Sequence, residues 1–237
     1  MRMNTNNLSP VILALDTDSI DTAARWIQAT QESISVYKVG LEFYLKFGSA
    51  GLSRLRDAGD FELFLDLKLH DIPHTVGAAV TCVAPLNPRF LTVHASGGSA
   101  MITSAVNAAP SIDITAVTVL TSLDADSLRE MGFSHSPLEL AVSLATNAVK
   151  SGARAIVCSP LEVSAIRESV GVSPVLITPG VRPADADVGD QSRVMTPVDA
   201  INAGATFLVI GRPITSYFST SAQAMTDRAR EIVDSLR

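Results

Sequence analysis

A lysine and two aspartates fall within six residues in Asp66-Leu67-Lys68-Leu69-His70-Asp71, directly after the apolar run Phe61 to Leu65. Positions two apart on an extended strand face the same way, so Asp66 and Lys68 should stand side by side where that strand ends. Such a pair is costly unless it is solvated, paired or used. Read blandly, it is an ion pair closing a strand. Read chemically, it is a proton donor held beside a carboxylate. In the order Lys38, Asp66, Lys68, Asp71 the signs alternate. At about 4 Å and an effective dielectric near 20, each such interaction is worth about 4 kcal/mol. A patch of that strength keeps Lys68 charged and aimed, and it repels a substrate anion placed against Asp66. Loss of a neutral CO₂ would relieve that repulsion, and the ammonium could protonate the carbanion left behind. The same electrostatics would also serve enolate chemistry.

These residues must be positioned by recurring elements. Apolar runs predict strands at Val11–Leu15, Val36–Val39, Phe61–Leu67, Phe90–His94, Ile114–Leu120, Ala155–Cys158, Val175–Thr178 and Phe207–Ile210. Amphipathic segments between them include Asp21–Thr30, Thr75–Val83, Ala100–Asn107, Leu138–Lys150 and Leu161–Ser169, with a last helix from about Ala222 to Leu236. Eight βα units in this length match a (β/α)₈ TIM barrel, an α/β fold. A doubly wound sheet is the competitor, but the first strand runs into Asp16-Thr17-Asp18-Ser19 without a Gly-rich turn. No linker interrupts the pattern, so residues 1–237 are expected to form one domain. The longest irregular stretch, about 181–196, is expected to be a lid or binding loop.

Barrel active sites are built at the C-terminal ends of the strands. The expected strand exits carry Asp16, Lys38, Asp66, Lys68, Asp71, His94, Thr121, Arg182 and Arg212. Three carboxylates, two lysines and two arginines are thus expected to converge on one mouth. The last two loops pair Gly180 with Arg182 and Gly211 with Arg212. Glycines let backbone amides approach an anion, and forked guanidinium donors suit phosphate, so these loops should bind one. His94 is expected to be a structural residue at the floor of the pocket, and His70 and His74 to face away from Lys68 or toward a subunit contact.

Composition narrows the class. The 237 residues are 47% hydrophobic, enough for a sizeable core, and the net charge of −6 argues against a nucleic-acid surface. Cys82 and Cys158 lack metal-ligand spacing and are expected to be buried reduced thiols. No apolar run approaches about 20 residues, and the polar start, Met1 to Pro10, has no signal core. A cytoplasmic protein that neither spans a membrane nor binds nucleic acid is the expectation.

At these motifs the chain resembles the orotidine 5′-phosphate decarboxylase family, in its bacterial form. The likeness covers essentially the whole length. It is carried by Asp16, Lys38-Val39-Gly40, the run Asp66 to Thr75, Val93 to Gly98, Leu120-Thr121-Ser122, Thr178 to Pro183, Asp190 to Val194 and Ile210 to Ile214. The resemblance implies decarboxylation of orotidine 5′-phosphate to UMP and CO₂, the last step of pyrimidine nucleotide synthesis, without metal or organic cofactor. It implies Lys68 as proton donor to C6, Asp66 against the substrate carboxylate, Lys38 at a ribose hydroxyl and Asp16 accepting from ribose. Thr121 would meet the pyrimidine edge, with Ser122 a weaker candidate. Arg212 and the Gly211 amide would grip phosphate, Gln191 would bridge phosphate and base, and Arg182 would support it. Family members are dimers with composite sites, which implies a homodimer whose Asp71 and Thr75 reach the neighbour's ribose.

Two other readings compete. A sister keto-sugar-phosphate decarboxylase shares the Asp-x-Lys-x-x-Asp pattern but uses Mg²⁺ with a carboxylate at the second strand. Lys38 stands there instead and would repel a divalent cation. A non-catalytic UMP-binding barrel would have no need of a lysine between carboxylates.

Overall fold

The structure, a computed structural model, describes residues 8–183 and 195–236. Eight parallel strands close into a barrel in chain order: β1 Val11–Ala14, β2 Val36–Gly40, β3 Glu62–Leu69, β4 Phe90–His94, β5 Asp113–Val117, β6 Ala155–Val157, β7 Val175–Pro179 and β8 Phe207–Ile210. Each pairs with its sequence neighbour, and β1 closes on β8 through Val11 opposite Leu208. Runs such as Val11-Ile12-Leu13-Ala14 are buried on both faces, as strands under a coat of helices must be. The main outer helices are α1 Ile20–Thr30, α2 Leu41–Arg56, α3 Pro73–Val83, α4 Gly98–Ala108, α5 Ala125–Glu130, α6 Pro137–Lys150 and α7 Val163–Val170, then α8 Pro197–Asn202, α9 Arg212–Thr215 and α10 Ala222–Asp234.

Local chemistry sets several of these starts. Ser19 accepts from the Thr22 amide at the head of α1, and Ser136 with Glu139 forms a reciprocal capping box at α6. Pro73 opens α3, where its missing N–H costs nothing. The fifth strand ends at Val117, three residues before the expected Leu120, which is 37% exposed.

Inside the barrel the side chains stack in layers. The lower layer is apolar: Ile12, Val36, Phe64, Phe90, Ala155, Ile177 and Phe207, plugged by Leu8. The rings of Phe64, Phe90 and Phe207 meet edge to face at 5.8 Å. Two residues further along each strand lies the next inward layer: Ala14, Lys38, Asp66, Thr92, Val117, Val157, Pro179 and Val209. The period of two therefore delivers a lysine and an aspartate to the barrel axis, above a dry aromatic floor.

One expectation about the surface is corrected here. Cys158 is buried, but Cys82 is exposed. The buried stripe of α3 is Val76, Val80 and Val83, and position 82 falls off that stripe. Both thiols are free. Among the described residues no helix is long and apolar enough to cross a membrane.

Candidate active site

Four charged side chains form a continuous chain at the C-terminal end of the barrel. Lys38 Nζ lies 2.9 Å from Asp16 Oδ1 and 3.8 Å from Asp66 Oδ2. Lys68 Nζ donates to both carboxylate oxygens of Asp66 at 2.8 Å. Exposure rises outward along this chain. The Asp66 and Lys38 side chains are 11% and 12% accessible, Lys68 31% and Asp16 62%. The Asp66–Lys38 centre is thus poorly screened, while Asp16 faces water. Burial pushes the Asp66 carboxyl upward. The ammonium groups of Lys38 and Lys68, with hydrogen bonds from Lys68 and Thr92, outweigh it and hold Asp66 below the ordinary carboxylate range. Asp66 is therefore an anion at neutral pH, fixed between two cations.

The backbone that carries Lys68 is irregular. Leu65 pairs with Leu91, yet Leu69 pairs with Val93, so four steps on β3 match two on β4. Within this bulge Lys68 has φ 48°, a left-handed conformation that costs a non-glycine residue about 1 kcal/mol. Its amide donates to Thr92 Oγ1 at 2.7 Å, and Thr92 Oγ1 lies 3.0 Å from Asp66 Oδ1. Spacing alone placed Asp66 and Lys68 together. It gave no sign of the bulge, or of Thr92, which reads in sequence as an ordinary β-branched strand residue.

The charged chain forms one wall of a cavity of about 460 Å³. Asp16, Lys38, Asp66, Lys68, Thr121, Arg182, Gly211 and Arg212 all line it, as the sequence reading expected. The opposite wall is largely apolar, with Val117, Val119, Leu120, Val157 and Cys158. Burial pushes the Cys158 thiol up to about 12, so it is a packing group here and not a nucleophile. At the rim, Gly180 takes φ 81°, a conformation suited to glycine, where the chain leaves β7. Val181 bridges to Met195, and the Arg182 amide donates to the Met195 carbonyl at 3.1 Å. Both ends of the expected lid are thereby pinned together. Residues 184–194 of that loop, with Gln191 among them, lie outside the described residues.

Asp71 and Thr75 do not join the others. Both are exposed, and Asp71 accepts from the Ile72 amide at 2.6 Å. Within one chain the charged series is therefore Asp16, Lys38, Asp66 and Lys68, and Asp71, which the resemblance assigns to a neighbouring subunit's site, stands apart from it. Pairing resumes after the bulge at Leu69, where β3 ends, and Asp71 sits on the loop beyond it. His94 is corrected too: it does not line the cavity. Its ring stacks at 5.3 Å on His70. Burial, reinforced by His70 and Lys68 and opposed by Asp66, lowers its affinity for a proton. Thr92 and Thr215 are the polar neighbours of the site that the sequence reading missed; Thr215 lies one helical turn after Arg212.

Fold and site together define a (β/α)₈ barrel with charged groups gathered at its strand ends, the arrangement on which barrel enzymes are built. A family model described as orotidine 5′-phosphate decarboxylase / HUMPS family matches residues 9–224, and the chain belongs to that family. It is 53% identical over 207 residues to the orotidine 5′-phosphate decarboxylase of Thermobifida fusca, covering 87% of this chain and 89% of that one. It is 45% identical over 224 residues to the Frankia casuarinae enzyme of the same name, covering 87% and 82%. The crystal structure of orotidine 5′-phosphate decarboxylase from Lactobacillus acidophilus superposes with a TM-score of 0.80 at 34% identity, covering 95% of this chain and 99% of that one.

Proposed function

We propose that this chain decarboxylates orotidine 5′-phosphate to UMP and CO₂, with Lys68 as the proton donor. The observation that carries the reading is the Asp66–Lys68 pair, which closes the charged chain above the apolar floor. In this pose the substrate carboxylate lies against Asp66, an anion that cannot move away from Lys38 and Lys68. The C6–carboxyl bond breaks, CO₂ leaves neutral, and the electron pair stays on C6. A Lys68 N–H proton then bonds to C6, leaving a neutral amine. Repulsion acts on the bound substrate and vanishes with CO₂, while attraction by Lys68 grows as charge develops on C6. That difference between ground and transition states is what accelerates a reaction. Asp16 and Lys38 take the ribose hydroxyls, Thr121 the pyrimidine edge, and Arg212 with the Gly211 amide the phosphate. Arg182 supports the phosphate side, and Gln191 keeps the role of bridge between phosphate and base.

The Mg²⁺-dependent sister reaction is disfavoured by Lys38. Its ammonium occupies the space between Asp16 and Asp66, where a divalent cation would have to sit. An assay with orotidine 5′-phosphate in EDTA-treated buffer separates the readings. The expected result is loss of orotate absorbance at an unchanged rate; turnover restored only by Mg²⁺ would overturn this reading. The same assay on cell fractions checks the cytoplasmic location, which the two free thiols support.

The reading includes a homodimer. Asp71, Ile72 and Thr75 stand exposed at the active end of the barrel, and Ile72 is 66% accessible. Beside them, small residues such as Gly77, Ala78, Ser99 and Thr103 line an open groove between α3 and α4, which allows close approach of a second backbone. Asp71 and Thr75 of each copy then complete the neighbour's ribose site. Mixing inactive Lys68→Ala with inactive Asp71→Ala should restore turnover that neither has alone, because the mixed dimer holds one intact composite site. Strict additivity of the two residual activities would rule the shared site out.

A further inference from the structure

We infer that Thr92 is a positioning residue for the proton donor: its single hydroxyl locks the main chain of Lys68 to the carboxylate that aims the Lys68 ammonium. The inference rests on the decarboxylase reading for its kinetic effect, but not for its structural one.

Hydrogen-bond directions at Thr92 admit one arrangement. A backbone N–H can only donate, so the Lys68 amide gives its proton to Thr92 Oγ1, at 2.7 Å. The hydroxyl has one proton of its own, and the acceptor it faces is Asp66 Oδ1 at 3.0 Å. Asp66 in turn accepts both short bonds from the Lys68 Nζ. The result is a closed ring: Lys68 amide to Thr92, Thr92 to Asp66, Asp66 to the Lys68 ammonium. Both ends of one lysine are held by the same pair of partners. Thr92 is fully buried, and it belongs to the inward layer that also carries Lys38 and Asp66.

The ring explains how the bulge persists. A left-handed non-glycine residue is retained only where its surroundings over-determine it. The pairing of β3 with β4 skips from Leu65 to Leu69, and the Thr92 hydroxyl receives the Lys68 amide within that gap. Valine has the same shape and can make neither bond. Serine can make both and lacks only the methyl group.

The test compares Thr92→Val with Thr92→Ser, each first checked for folding by circular dichroism. For Thr92→Val, kcat should fall about 10- to 100-fold, the worth of one hydrogen bond to a charged group, with KM changing little. The acid limb of its pH profile should move up by about one pH unit, because Asp66 loses a donor that favours its charged form. Thr92→Ser should stay within about threefold of the parent kcat, with the acid limb unmoved. Should Thr92→Val fail to fold, Thr92→Ala against Thr92→Ser gives the same contrast of hydroxyl against none. A ¹³C NMR titration of the Asp66 carboxyl, with no substrate present, reads the contact separately. If the parent protein did not turn over orotidine 5′-phosphate, the decarboxylase reading would fail while this titration still judged the Thr92 contact. A hydroxyl-free variant with the parent's kcat and Asp66 titration would overturn the inference and leave Thr92 a packing residue.

Discussion

Lys68→Ala is expected to lose turnover of orotidine 5′-phosphate by at least about 10⁴-fold while still binding UMP. A positioned acid supplies about 10² to 10⁴ of a rate enhancement. Lys68 also provides the nearest positive charge to the developing pair at C6, and preorganised charge of that kind is worth a further 10²-fold or more. Its Nζ lies 2.8 Å from both oxygens of Asp66, whereas Lys38 stands 3.8 Å from Asp66 and is engaged by Asp16 at 2.9 Å. Lys38 is therefore committed elsewhere and cannot take over the transfer. UMP affinity rests on the phosphate and ribose contacts of other strand ends, so it should survive. Orotate absorbance measures the first quantity and titration calorimetry with UMP the second. A variant retaining a tenth of the parent's turnover would end the assignment of Lys68 as donor.

Asp66→Ala is expected to damage both stability and rate, and in a diagnostic pattern. Removing this carboxylate leaves two ammonium groups facing one another across the barrel mouth. Breaking a fully buried pair costs about 3–5 kcal/mol. Lys68 is 31% exposed, so solvent screening reduces the expected loss here to about 2 kcal/mol, read by denaturant unfolding. The pH dependence has a definite sign. The Asp66 pKa is lowered in the folded protein, so its stabilisation is fully present above the ordinary Asp value of about 4 and is lost as pH falls through the lower folded value. The gap between parent and variant should thus be widest above about pH 4 and close below it. In the assay, kcat should drop by about 10³-fold, since Lys68 loses its aim and the substrate its repulsion. Substrate affinity should hold or improve, because the repelling anion is gone. A variant with weakened binding and unchanged kcat would show that Asp66 serves only to hold the substrate.

Much of this molecule is legible in the chain. Strands buried on both faces, such as Val11 to Ala14, announce themselves as short apolar runs, and period two places Lys38 and Asp66 on one inward layer. The loops bearing Arg182 and Arg212 reach the cavity as their positions after the last two strands require.

Other features depend on contacts between strands distant in sequence. The two-residue slip of β3 against β4, the left-handed Lys68 and the Thr92 ring arise only when those strands meet edge to edge. Likewise, the pairing of Asp16 with Lys38 depends on the exit of β1 meeting β2, twenty-two residues apart in sequence. Sequence by itself determined which residues point inward, because alternation is a property of one extended chain. Tertiary structure decided which of them touch, because register is a property of two strands held side by side.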